Sequence, residues 1–169
     1  MRPRDERAMT DPKKKVVIRR PNPGRFAEEA DTVSALFIEA RRTALPKLKV
    51  LRSVDETHEW MRDVVFPRRS IRIAELEGDI VGFAARDGAW LEHLYVKVGF
   101  TGRGIGSELL DVMINEAKPV TPVLRLYAFQ CNAGARRFYE RHGFVAVVFG
   151  DGTGNEEGEP DIRYERKLR

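Results

Sequence analysis

Cysteine is nearly absent: Cys131 is the only one in 169 residues. That excludes an internal disulfide and any zinc site built on cysteines. Long apolar runs are missing too. The longest, Phe144 to Phe149, spans six residues, where a transmembrane helix needs about 20. The chain does not begin with a charged segment leading into an apolar stretch and a small-residue cleavage site. It shows no internal repeat and no change of composition that would divide it in two. These absences predict a soluble, cytoplasmic protein with no membrane partner and one compact domain.

What is present is a balanced globular composition, 42% hydrophobic and 33% charged, with enough apolar material for a core. The net charge of +4 points toward nucleic acid only until it is located. Residues 1–20 hold eight Lys/Arg against three Asp/Glu, a local +5, which leaves 22 basic and 23 acidic residues elsewhere. The basicity belongs to the front end. Residues 1–14 read as a solvated, mobile arm and residues 15–169 as the domain; the near-neutral body carries no recognition motif, so no specific nucleic-acid partner is expected.

Periodicity supplies the element order. Val16 to Ile18 is a short strand, closed by Pro21-Asn22-Pro23-Gly24. Apolar residues at Phe26, Ala30, Val33, Phe37, Ala40 and Ala44 alternate steps of four and three, one face of a helix that ends near Pro46. Ser53 with Glu56 forms a capping box opening a second helix, predicted to stop at Pro67. The period then drops to two. Ile71 and Ile73, then Val81, Phe83 and Ala85, then Ala89 to Val98 form an antiparallel meander turning at Gly78-Asp79 and Asp87-Gly88. After a glycine-rich bend come a helix through Leu109 and Met113, a strand at 123–129, a helix from Asn132 to His142, and strands at 144–149 and 162–168. The order is β-α-α-β-β-β-α-β-α-β-β. It predicts an α/β (α+β) fold with a mixed, mostly antiparallel sheet of about seven strands and about four flanking helices.

Gly102-Arg103-Gly104-Ile105-Gly106 lies between a strand and a helix that starts at once. Alternate glycines let successive backbone N–H groups face one way, and the helix N-terminus adds about half a positive charge. Such a bend can cradle a phosphate or pyrophosphate; equally, it can be a tight connection. It lacks the Gly-Lys-Ser/Thr of a P-loop, and its last glycine falls one residue early for a dinucleotide fingerprint.

The run Leu91-Glu92-His93-Leu94-Tyr95-Val96, then Gly102-Arg103-Gly104-Ile105-Gly106-Ser107-Glu108-Leu109-Leu110, resembles the central motif of the GNAT superfamily of acetyl-CoA-dependent N-acetyltransferases. Asn132-Ala133-Gly134-Ala135-Arg136-Arg137-Phe138-Tyr139 and the residues to Phe144 are similar to that family's second motif. The resemblance implies acetyl-CoA as cosubstrate and no metal. It implies a coenzyme site made of Leu94, Tyr95 and Val96 on the strand, Thr101 and Gly102 to Ser107 in the loop, and Asn132, Ala135 and Tyr139 on the second helix. Loop amides would hold the pyrophosphate, and the Val96 N–H would bind the thioester carbonyl. Thr101 stands where the family usually has Gln or Arg, which implies weakened binding. Asn132 is also a good N-cap, and both roles are compatible. Tyr139 takes the general-acid position, protonating the departing thiolate.

Only a neutral amine attacks, so a proton must leave the acceptor. Strict alternation would place Glu92 with Trp90 and Leu94, and His93 with Leu91 and Tyr95. Glu92 is the first candidate base and His93 the second, each equally readable as a hydrogen-bonded structural partner. Cys131 has no His/Asp arrangement to activate it and reads as a small residue at a strand end. The resemblance draws the acceptor pocket from Arg41-Arg42-Thr43-Ala44-Leu45-Pro46 and the loop at 155–161. There Arg42, Glu156 and Glu157 are candidate substrate-binding residues, and the acidic loop would attract a cationic amine. The predicted activity is direct acetyl transfer to a small polyamine-like, amino-sugar, amino-acid-derived or peptide amine. The alternative is a non-catalytic acyl-CoA-binding or regulatory module of the same fold. A homodimer is common in the family.

Overall fold

The meander read between residues 70 and 98 forms the middle of a seven-stranded sheet. A computed structural model describes residues 15–169; the basic arm of residues 1–14 lies outside the described residues. The strands are β1 (Val17–Arg19), β2 (Ser70–Leu76), β3 (Asp79–Asp87), β4 (Trp90–Val96), β5 (Val123–Phe129), β6 (Val145–Phe149) and β7 (Asp161–Lys167). Their spatial order is β1-β2-β3-β4-β5-β7-β6. Every neighbouring pair is antiparallel except β4 with β5. That exception positions the site. The two parallel strands share one register pair, Trp90 with Arg125, and beyond it β4 leaves β5 and opens the sheet.

The helices are α1 (Phe26–Ala44), α2 (Val54–Trp60), α3 (Phe66–Arg68), α4 (Ile105–Ala117) and α5 (Ala133–Arg141). They cover both faces. On one, Leu109, Leu110 and Met113 of α4 pack on Leu124, Leu126 and Tyr164. On the other, Val33 and Phe37 of α1 and Met61 pack on Ile73 and Phe83. Each such side chain removed from water contributes about 1.5–3 kcal/mol. Among the described residues no helix is long and apolar enough to cross a membrane.

Three local expectations change. The first hairpin turns at Glu77-Gly78, not Gly78-Asp79: both have positive φ, 52° and 85°, as a two-residue type I′ turn requires. The second helix does not stop at Pro67. Its capping box forms, Ser53 Oγ accepting from Glu56 N and Glu56 Oε2 from Ser53 N, but α2 widens into a π turn at Met61–Val65 and continues as α3. Proline has no N–H and crowds the carbonyl four residues back. The wider turn, in which Phe66 N–H reaches Met61 O, carries the chain past it.

The third change affects a candidate residue. Ala85 pairs with His93, but the next pair along is Arg86 with Leu91, so Glu92 is an extra residue bulged out of the ladder. The bulge shifts the alternation by one. Leu91 joins Leu94 and Val96 on the α4 side, while His93 and Tyr95 face α1 through Phe37.

Candidate active site

Where β4 leaves β5, the chain enters the glycine bend. Gly102 and Gly104 have φ of 74° and 82°, a region that penalises any Cβ. A Cβ at either would meet nothing within 4 Å, so glycine is there for backbone conformation and not for space. Gly104 caps α4 from the left-handed region. Intrahelical bonding begins with Glu108 N to Gly104 O at 3.0 Å. The amides of Ile105, Gly106 and Ser107 precede it and have no helical acceptor, which makes this N-terminus an anion cradle. At Gly106 space does matter: a Cβ would sit 3.4 Å from the Phe138 ring and 3.7 Å from Val96 Cγ2, closing the gap between α4 and α5.

These residues line a cleft of about 670 Å³. Leu94, Tyr95 and Val96 form its floor; Thr101, Gly102, Gly104, Ile105, Gly106 and Ser107 form the loop side. Asn132, Ala135 and Tyr139 form the α5 side, and Ala40, Thr43 and Ala44 of α1 close the top. Asn132 caps α5, its Oδ1 accepting from Ala135 N at 3.1 Å. Twelve of the thirteen proposed coenzyme residues therefore face one cleft. The exception is the Arg103 side chain, whose guanidinium lies 4.9 Å over the Phe100 ring outside the lining.

His142 was not singled out in the sequence, yet it fixes the cleft's far wall. Its Nδ1 lies 2.7 Å from Phe138 O and its Nε2 3.0 Å from Ser107 Oγ. A carbonyl can only accept, so Nδ1 carries the proton and Nε2 accepts from the Ser107 hydroxyl. The first turn of α4 is thereby tied to α5. Arg141 also lines the cleft and adds a cation near the cradle.

A second cavity of about 440 Å³ lies on the opposite side of α1. Phe37, Arg41, Arg42 and Leu45 line it, with the segment 46–54, Trp60 and Glu157. Tyr95, which lines the larger cleft, stands edge-on at 5.0 Å to Phe37, which lines the smaller cavity. Arg41 holds the junction together. Its Nη2 donates to Glu157 Oε1 at 2.7 Å, and its guanidinium sits over the rings of Phe37 and Phe129, at 5.6 and 5.8 Å.

Electrostatics at the junction are set by burial. It pushes the Tyr139 phenol well above its ordinary range, with nearby Tyr95 adding to the effect. Tyr95 is also raised by burial, with Arg41 opposing. The His93 imidazole is pulled down to about 4, first by burial and then by Arg41 and Arg69. Its Nδ1 is sealed from solvent without a hydrogen-bond partner, and its ring is packed among Phe37, Trp60 and Phe83. A free alkyl ammonium has a pKa of ~10, so passing its proton to such a group is uphill by roughly 8 kcal/mol. His93 lines neither cavity and is a poor base.

Other candidates fall outside. The bulge directs Glu92 away from both cavities, and its Oε2 accepts from Arg69 Nε at 2.6 Å. Glu156 has a 72% exposed side chain, 3.7 Å from Arg52, and is not in the cavity wall. The acidic loop folds on itself, Asn155 Nδ2 donating to Glu159 O and Asp161 Oδ2. Glu157 is held by Arg41 at 2.7 Å, and Glu156 stands 3.7 Å from Arg52. The Cys131 thiol is raised by burial and by Glu159, which disfavours the nucleophilic thiolate. Among the described residues no group of three or more His, Cys, Asp or Glu could hold a metal ion.

A family model described as an acetyltransferase (GNAT) domain matches residues 67–146, which span β2 through the start of β6 and include the whole glycine bend and α5. An uncharacterized N-acetyltransferase from Archaeoglobus fulgidus is 30% identical over 119 residues, 62% of this chain and 78% of that protein. The chain belongs to the GNAT superfamily of acetyltransferases. It is thus an acyltransferase, and its mixed seven-stranded fold is that of the superfamily. A spermine/spermidine N(1)-acetyltransferase from Bacillus subtilis is 30% identical over 82 residues, 40% of this chain. The chain spans about half of that relative, 54%. A Salmonella typhimurium structure with its cofactor acetyl-CoA superposes with a TM-score of 0.70 at 16% identity, covering 92% of this chain and 95% of that one.

Proposed function

We propose that this GNAT enzyme, with residues 15–169 as its catalytic domain, moves an acetyl group from acetyl-CoA to a primary amine by direct attack in a ternary complex. The observation that carries this reading is the arrangement of the two cavities: an anion cradle opens into one, a separate pocket opens on the other side of α1, and the Tyr95 ring in the wall of the first packs against the Phe37 ring in the wall of the second. The cradle fits a diphosphate because its donors are main-chain amides at a helix N-terminus. The coenzyme-bearing Salmonella neighbour supports the same ligand.

When bound, acetyl-CoA supplies an activated thioester whose C–S bond breaks as the C–N bond of the amide forms. The chain's residues do the rest. Amides of the loop and of Ile105 to Ser107 hold the phosphates, and the Val96 N–H points a donor at the acyl oxygen, where negative charge develops. Tyr139 donates a hydrogen bond to the departing sulfur. Its raised pKa keeps it protonated across the physiological range. A thiol ionises near 8.5, so complete transfer from this phenol is uphill and its role is charge stabilisation. Neither Glu92 nor His93 serves as base; the acceptor's proton leaves through the open mouth of the smaller cavity to water.

Acetyl-CoA-dependent thiol release across amine classes tests the reading, with Tyr139→Phe as control. Release that requires an amine and falls in the variant supports it. Coenzyme binding without turnover on any amine would instead leave a non-catalytic acyl-CoA-binding module.

A further inference from the structure

We propose that the smaller cavity takes a zwitterionic acceptor: a small primary amine with an apolar body that also carries a carboxylate, the chemistry of an amino acid with an apolar side chain. This inference rests on the acetyl-transfer reading above and narrows its acceptor.

The charge of the wall carries the argument. Four cations line the cavity, Arg41, Arg42, Lys49 and Arg52, against one carboxylate, Glu157. Arg41 and Glu157 form a closed pair at 2.7 Å. Arg52 has only a loose contact with Glu156 at 3.7 Å, and its guanidinium lies 5.3 Å over the Trp60 ring. Among the described residues Arg42 and Lys49 have no carboxylate partner. The segment from Arg41 to Val54 contains five basic residues and no acidic one. Like charges facing each other in a partly enclosed space repel strongly, so a polyamine carrying several positive charges is the wrong guest. A carboxylate is the complementary one, because guanidinium and ammonium groups form charge-assisted hydrogen bonds with it.

Burial orders the groups along the cavity. Arg41 and Glu157 are the sheltered pair beside Tyr95, while Arg42 and Lys49 are exposed. The amine end therefore belongs at the Tyr95 end, next to the coenzyme cleft, and the carboxylate at the mouth. Leu45, Leu48, Leu51 and Trp60 lie between as an apolar wall. A volume of about 440 Å³ suits one small molecule. The positive field also favours the uncharged amine, which is the form that attacks; Arg41 and Arg69 act in the same sense on His93.

The chain has two tryptophans, and Trp90 stacks on Tyr127 away from the cavity. In a Trp90→Phe protein without coenzyme, Trp60 fluorescence reports on this cavity alone. It is titrated with L-leucine, with L-leucinamide (the same amine and side chain without the carboxylate, standing in for a peptide terminus), and with spermidine. Leucine is expected to saturate about tenfold more tightly than leucinamide, with spermidine weakest. Arg42→Gln/Lys49→Gln, both exposed positions, should bring the leucine/leucinamide ratio near one. Equal or tighter binding of leucinamide or spermidine, or no saturable leucine signal, overturns the proposal. Coenzyme A calorimetry on the same protein separates the two readings: lost coenzyme binding with the leucine preference intact sinks acetyl transfer and leaves the cavity assignment standing.

Discussion

In the larger cleft the groups offered to a ligand are mostly main chain: amides at the start of α4, freed by glycines in the left-handed region. In the smaller cavity they are long side chains from three distant segments, with Arg41 and Glu157 meeting across 116 positions of sequence. The first design depends on backbone shape and suits one invariant ligand part. The second depends on charge and volume and can be retuned by single substitutions without disturbing the sheet. A shared coenzyme and a private acceptor are what such a division of labour would serve.

That contrast can be broken at its junction first. Tyr139→Phe should lower turnover about 100-fold while calorimetry finds coenzyme affinity unchanged; equal losses in both would make Tyr139 a binding residue. Next, Gly104→Val forces a β-branched residue to a φ of 82° and should weaken coenzyme A by roughly 10- to 100-fold, leaving the Trp60 titration with leucine untouched.

The imidazole packed behind Phe37 and Trp60 gives a pH signature. His93 has a folded-state pKa of about 4 against an ordinary 6.5, so the unfolded chain binds the extra proton between those values and stability is lost as pH falls through that window. Urea midpoints at pH 7 and pH 5 should show about 2 kcal/mol more loss in the wild type than in His93→Phe. Glu157→Gln should then raise the acceptor KM about tenfold with the coenzyme KM unmoved. The smallest effect is expected at Glu92→Gln: kcat and KM unchanged and stability within ~0.5 kcal/mol, as for other largely solvated ion pairs. A large loss of kcat there would restore Glu92 to the mechanism.

The same contrast explains what was legible in the sequence. Glycine spacing, the Asn132 cap and the period-two strands are local patterns, and local patterns determine the fold order and the coenzyme cleft. The acceptor side eluded that reading because its chemistry is relational. Three glutamates in a loop look acidic in a string; only in three dimensions does Arg41 reach Glu157 and Arg52 face Glu156. The Glu92 bulge is equally silent, since nothing in Leu91-Glu92-His93 marks an extra residue, and alternation put Glu92 in the ladder and Leu91 on the His93 face, while pairing His93 correctly with Tyr95. His142 could have been suspected as the residue before the helix-ending Gly143, but its partner Ser107 is 35 positions away.

The single rung joining β4 to β5 also leaves one margin of β4 open. Among the described residues Trp90 and Arg125 are the one register pair between β4 and β5, although the Trp90–Tyr127 stack and the core under α4 also join the two leaves, and beyond that pair the inner margin of β4 carries main-chain groups with no strand to answer them. That margin is open for an extended guest to lie along it as an added strand would.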